Sequence, residues 1–144
     1  MIYMNAAAPA KKVMVVDDNE IILKTISLRL REAGYAPLVA RDGVEALAVA
    51  RREPLDLILL DINFPPDVDG EPWDGFRILE WLRHLEHVRL VPVIIISGSE
   101  SAEDHERAER NGATAFFRKP IDHADLLKVV RETLETAPVP ALQN

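Results

Sequence analysis

The chain has 144 residues, with 17 Lys and Arg against 24 Asp and Glu and a formal net charge of −7. That length fits one domain, and the charge argues against nucleic acid as the main partner, because duplex binding draws on clustered Lys and Arg. With no cysteine, disulfides, thiolate nucleophiles and zinc–sulfur sites are excluded, and no apolar run approaches the ~20 residues of a bilayer span.

Met1 to Ala10 has no basic start followed by a long apolar core, so it does not read as a signal peptide. Residues 1–11 read as a disordered leader. Val13-Met14-Val15-Val16 is a short β-branched run that ends in Asp17-Asp18-Asn19. Asp18 and Asn19 are good helix N-caps, and Ile22, Leu23, Ile26, Leu30 and Ala33 then recur at helical spacing. Gly34 closes that helix. Tyr35 to Ala40 reads as a short strand, Asp42-Gly43 as a turn, and Val44, Leu47 and Ala48 as the start of a helix that stops at Pro54.

Leu55 to Leu60 is an apolar run too short for a helix and bounded by prolines, so it reads as a buried strand. Asp56 lies near its entrance with access to solvent, and Asp61 lies at its C-terminal tip. Asn63 to Asp74 is a loop with Pro65, Pro66, Pro72 and Gly70. Phe76, Ile78, Leu79, Trp81, Leu82 and Leu85 form an amphipathic helix. Val91 to Ile96 is a fourth strand, ending at Ser97-Gly98. Glu100 to Asn111 is a charged helix with Ala102 and Ala108 as its apolar residues, hence thinly packed. Ala113 to Arg118 is a fifth strand ending at Lys119-Pro120. Asp122 caps a last helix carrying Leu126, Leu127, Val130 and Leu134, and residues 137–144 form a loose tail.

Five β–α units in strict alternation imply an α/β fold, a doubly wound five-stranded parallel sheet with helices on both faces. In such sheets ligands bind outside the carboxyl ends of the strands. Those ends carry Asp17 and Asp18, Asp61, Ser97 and Lys119. Clustered carboxylates repel one another, and a divalent cation with hard oxygen ligands, Mg²⁺, relieves the repulsion. The lysine and serine add a point charge and a hydroxyl, so the set suits a phosphoryl group on or beside a carboxylate. Taken alone, Asp17-Asp18 reads equally as a helix cap, Ser97-Gly98 as a turn, Lys119 as a surface residue and Phe116 as core. His84, His87, His105 and His123 read as solvated surface residues, not metal ligands.

The stretches Val15-Val16-Asp17-Asp18, Leu59-Leu60-Asp61-Ile62-Asn63-Phe64-Pro65, Asp74-Gly75-Phe76, Ile95-Ile96-Ser97-Gly98 and Arg118-Lys119-Pro120 follow one another in family order. On these residues the chain resembles a receiver domain of the bacterial two-component response regulators, chemotaxis-regulator-like, over residues 12–136. The resemblance implies a flavodoxin-like strand order 2-1-3-4-5. It implies Asp61 as phosphoacceptor from a sensor histidine kinase or phosphotransfer protein, with no other enzymatic turnover. It also implies Asp17, Asp18, Asp61 and the Asn63 backbone carbonyl as Mg²⁺ ligands, and Lys119 and Ser97 as phosphoryl contacts. Ser97 would carry the switch, with Phe116 at the family's aromatic switch position. A cis Lys119–Pro120 bond is expected on the same ground.

The output would be contact with a downstream protein through residues 100–136, in a monomer or a phosphorylation-dependent dimer. Nucleic-acid and membrane binding are not expected, and the location would be cytoplasmic. The chain reads as a stand-alone regulator or as a receiver cut from a larger regulator or hybrid kinase. Two alternatives stay open: a Mg²⁺-dependent phosphatase of small phosphoesters built on the same carboxylates, and a degenerate receiver that works without phosphorylation.

The pattern departs from the family in two places. Asp74-Gly75 comes about six residues late, with the extra residues within Pro66–Trp73. There Asp67-Val68-Asp69-Gly70 matches the nucleophile motif of haloacid dehalogenase phosphatases but lacks the preceding apolar strand. Asp67, Asp69 and Glu71 fall short of a calcium loop. The insert reads as a surface loop beside Asp61, with Trp73 as an apolar surface to bury or share. The second departure is Phe116, which lacks the hydroxyl of the commoner tyrosine.

Overall fold

Apolar runs ending in polar residues become five strands, each followed by a helix. In the computed structural model residues 9–62, 75–98 and 102–136 are described. In chain order the elements are β1 (Lys12–Val16), α1 (Glu20–Glu32), β2 (Ala36–Ala40), α2 (Gly43–Arg52) and β3 (Leu57–Asp61). They continue with α3 (Gly75–Arg83), β4 (Val93–Ser97), α4 (Ala102–Arg110), β5 (Ala115–Arg118) and α5 (His123–Thr136). The sheet is parallel throughout, with strand order β2-β1-β3-β4-β5. Residues 1–8 of the predicted leader, the 66–73 insert with Asn63 and Trp73, and the tail lie outside the described residues.

Period-two alternation sorts each strand between two cores. Met14, Val16, Ile58, Leu60, Val93 and Ile95 face Ala46 and Leu47 of α2, Phe76 and Leu79 of α3, and Ala108 of α4. Val13, Val15, Leu57, Leu59, Ile94 and Ile96 face Leu23, Ile26 and Leu30 of α1, and Leu126 and Val130 of α5. Every residue of β3 and β4 is buried, as a central parallel sheet covered on both faces requires. Each fully buried Leu or Ile contributes about 1.5–3 kcal/mol of transfer free energy, so the sheet's centre is its most firmly held part.

Caps fix the helix ends. Asn19 Oδ1 accepts from the Ile21 and Ile22 N–H groups at 2.9 and 3.2 Å. Asp42 Oδ1 accepts from the Glu45 N–H at 2.8 Å. After α1 the backbone turns through Gly34 at φ +94°, and the Tyr35 N–H closes on Leu30 O at 2.9 Å, a left-handed exit that glycine adopts without strain.

Several boundaries differ from the sequence expectation. β3 begins at Leu57, because Asp56 is spent on the neighbouring strand: its N–H donates to Lys12 O, and its Oδ2 accepts from the Lys12 N–H, both at 2.8 Å. α3 ends at Arg83 and not at Leu85, which packs on the core from the turn that follows. His84, His87 and His105 are exposed, as expected, and His123 is half-buried. His84 and His87 bond Glu80 O and Ala50 O. His105 packs on an aromatic ring, and His123 Nδ1 is buried without a hydrogen-bond partner.

Candidate functional site

Parallel register brings one end of each central strand to one level. Val16 pairs with Leu60, Asp61 with Ile96, and Ser97 with Arg118. Asp17, Asp61, Ser97 and Lys119 therefore meet at the carboxyl end of the sheet, where open α/β folds bind ligands. Two backbone bonds continue the ladder past the strand tips. The Asp17 N–H donates to Ala40 O at 3.1 Å, and the Lys119 N–H donates to Ser97 O at 2.7 Å. Lys119–Pro120 is a cis peptide, as expected.

Asp17 and Asp61 are 2 % and 1 % exposed, so both carboxylates are withdrawn from bulk water. Asp18 is exposed. Lys119 Nζ lies 3.3 Å from Oδ2 of Asp17 and 3.3 Å from Oδ2 of Asp61. Asp17 Oδ1 accepts from the Asn19 N–H at 2.9 Å, which ties the first acidic pair to the start of α1. Ser97 is fully buried at the end of β4.

Three carboxylate oxygens, one each from Asp17, Asp18 and Asp61, lie within 4.8 Å of one another. Three negative charges against one lysine leave two in excess, which one divalent cation would balance. All three donors are hard oxygens, and a Mg²⁺ ion with ligands at 2.0–2.1 Å spans roughly 4 Å from one side to the other. The donor set fits that ion with little adjustment. None of the four histidines belongs to this cluster.

Three contacts near the site were not legible in the sequence, although Gly75 and Phe116 themselves lie at positions singled out there. Gly75 opens α3 against the end of β3: a Cβ there would lie 2.4 Å from Ile62 Cα and 2.5 Å from Asp61 O. Only a residue without a side chain lets the helix start so close to the Asp61 backbone. Arg107 of α4 sets its guanidinium 4.3 Å from the centre of the buried Phe76 ring, a cation–π contact between α4 and α3. Phe116 of β5 is half-buried on the core, and His105 of α4 meets its ring edge-on. Among the described side chains of α4, Ala108 alone is buried, in keeping with the expected thin packing.

Residues 13–131 match the family described as the response regulator receiver domain. The chain belongs to this family.

Among curated proteins, the receiver is 33 % identical over 127 residues to the polar-differentiation response regulator DivK of Brucella ovis, covering 88 % of this chain and 98 % of that one. Among solved structures it resembles chemotaxis protein CheY4 of Vibrio cholerae, with a TM-score of 0.77, 31 % identity, and coverage of 85 % of this chain and 98 % of that one. It also resembles the receiver domain of sensor histidine kinase PA1611 from Pseudomonas aeruginosa PAO1, with a TM-score of 0.76, 26 % identity, and coverage of 88 % and 99 %. That structure holds a magnesium ion coordinated in its active-site cleft. The flavodoxin-like order expected from the resemblance is the order found. No helix among the described residues is long and apolar enough to cross a membrane.

Proposed function

We propose that this receiver, over residues 12–136, takes a phosphoryl group on Asp61 from the phosphohistidine of a sensor histidine kinase or phosphotransfer protein, in a Mg²⁺-dependent reaction in the cytoplasm. The observation that carries the reading is the buried Asp61 carboxylate, 3.3 Å from Lys119 Nζ and clustered with the carboxylates of Asp17 and Asp18.

An Asp61 oxygen attacks phosphorus in line with the phosphorus–nitrogen bond of the donor. That bond breaks, its electron pair stays on the imidazole nitrogen, and the product is an acyl phosphate. Lys119, already beside the Asp61 oxygen, pairs with the phosphoryl oxygens as charge arrives there. Ser97 donates its hydroxyl to the same group. Mg²⁺, when bound, supplies charge neutralisation at those oxygens. Asp17, Asp18 and Asp61 would hold it, and the magnesium in the PA1611 receiver supports that assignment. The Asn63 carbonyl joins this set by family resemblance alone. Attack of water on phosphorus later returns the free carboxylate.

The output follows from Ser97, the last residue of β4, and Lys119, just past β5, which share a backbone bond. Movement of Ser97 toward the phosphoryl group opens space into which Phe116 turns. The face formed by α4, β5 and α5 then changes its affinity for a downstream protein or for a second copy of the chain.

Incubation with acetyl phosphate and Mg²⁺, followed by intact-mass measurement, tests the reading. One phosphoryl group is expected per chain, absent when a chelator is present from the start and absent in Asp61→Asn. Label that persists in Asp61→Asn, or sustained turnover of an ordinary phosphoester, would overturn it.

A further inference from the structure

A second polar site lies at the opposite end of the sheet. Where the turn after α3, the Gly112 turn and the end of α5 meet, a cleft of about 400 Å³ opens. Among the described residues, the ionisable ones lining it are Arg83 and Arg89, with no carboxylate, in a chain whose net charge is −7. Thr114, Thr133 and Thr136 add hydroxyls, and Leu90 with Pro92 gives an apolar wall.

Arg83 is half-buried, and burial pulls its guanidinium below the usual arginine value. Its Nη1 donates to Arg89 O at 2.8 Å and Val91 O at 2.9 Å, and its Nη2 donates to Gly112 O at 3.1 Å. Neither Arg83 nor Arg89 forms an ion pair among the described residues. A withdrawn cation without a counter-charge is costly, and binding three carbonyls leaves the Nε–H of Arg83 without an acceptor there. A Cβ on Gly112 would lie 4.0 Å from that Nε and 3.9 Å from Nη2, so the glycine leaves this edge of the guanidinium uncovered. Stapling the two turns together accounts for Nη1 and Nη2. It accounts for neither the open Nε edge nor the second arginine.

We propose that this cleft binds a small phosphate monoester. Its dianionic head sits between Arg83 and Arg89, its oxygens take the threonine hydroxyls, and its apolar body lies on Leu90 and Pro92. Two guanidinium charges match a phosphate monoester, which carries about −1.5 to −2 at neutral pH, better than a single carboxylate. A volume of about 400 Å³ falls in the usual range for small-ligand sites. The cleft lies one strand length from the phosphoacceptor, about 15 Å at ~3.3 Å per residue, so one molecule of this size does not fill both sites.

The test is an NMR titration of the Asp61→Asn chain with phenyl phosphate, without Mg²⁺, so that phosphoacceptor chemistry is out of play and its failure would not bear on this site. Saturable shifts are expected at the Arg83 Nε–H and the Gly112 and Thr114 amides, with none at Asp18 or Lys119. Benzoate should bind more weakly than phenyl phosphate. Arg89→Ala keeps every carbonyl bond of Arg83 and should weaken binding about tenfold, the loss of one charge-assisted contact. Shifts that never saturate, shifts confined to Asp18 and Lys119, or unchanged affinity in Arg89→Ala would overturn the proposal.

Discussion

Lys119 Nζ stands 3.3 Å from Oδ2 of Asp61 across the carboxyl ends of β5 and β3, and the same amine reaches Asp17 at 3.3 Å. Removing it takes this cation from two carboxylates that are nearly excluded from water. Lys119→Met should therefore destabilise the fold by about 2–4 kcal/mol without divalent cation, somewhat below the range for a fully buried pair because the lysine keeps some exposure. Adding Mg²⁺ should stabilise Lys119→Met more than the parent chain, since the ion takes over the missing positive charge. Urea unfolding with and without Mg²⁺ reads both effects, and an equal gain in the two proteins would contradict the account.

Gly75 gives a prediction with an unusual sign. Alanine is the better helix former by about 1 kcal/mol, so on propensity alone Gly75→Ala at the start of α3 should stabilise. The added Cβ, however, would press on the Ile62 Cα and the Asp61 carbonyl, both backbone atoms. Overpacking against backbone should dominate, for a net loss of about 2–3 kcal/mol and slower phosphorylation as the Asp61 backbone shifts. A stability equal to or above the parent in chemical denaturation would show that α3 can move away without cost.

The carboxyl-end site was readable because each of its members closes an apolar run. A strand that ends in Asp17, Asp61, Ser97 or Lys119 announces its end locally, and alternation of strands with helices brings those ends together. Contacts between separate elements carry no such local mark. The Arg107–Phe76 stack joins residues 31 positions apart on two helices, and nothing near either names the other. Arg83 sits among the polar positions of an amphipathic helix, although three of its N–H groups are taken by carbonyls of two later turns. His123 reads as a solvated first-turn residue, yet its Nδ1 is buried. Tertiary packing, not sequence period, decides these cases.

The Glu20–Arg41 pair links the start of α1 to the end of β2 on the surface. The hydrogen bond and charge of Arg41 hold the Glu20 carboxyl below the usual glutamate range. In the window between the depressed and the ordinary value the unfolded chain binds more protons than the folded one, so stability rises with pH there. The contribution is complete above the ordinary value and is lost as pH falls through the depressed one. Glu20→Gln should flatten this part of the acid unfolding curve, and added salt should shrink the difference because the pair is exposed. Identical acid limbs for the two proteins at low ionic strength would rule the linkage out.

His105 and Phe116 form an edge-on pair, with ring centres 5.0 Å apart and planes at 68°. The imidazole Nε2 also lies 3.7 Å from Glu109 Oε1, within α4. The histidine therefore braces the aromatic ring from the helix that forms the proposed output face. An aromatic pair of this geometry contributes about 1 kcal/mol beyond its buried area. On the proposed switch, His105→Ala should release Phe116 and raise the share of the inward ring before any phosphorylation occurs. The rate at which Asp61 takes a phosphoryl group from acetyl phosphate should change little, because His105 lies outside the carboxylate cluster. Ring signals of labelled Phe116, followed with and without beryllofluoride, separate the two states. Ring signals unmoved by His105→Ala, or a large loss of phosphorylation rate, would show that the histidine does not brace the switch.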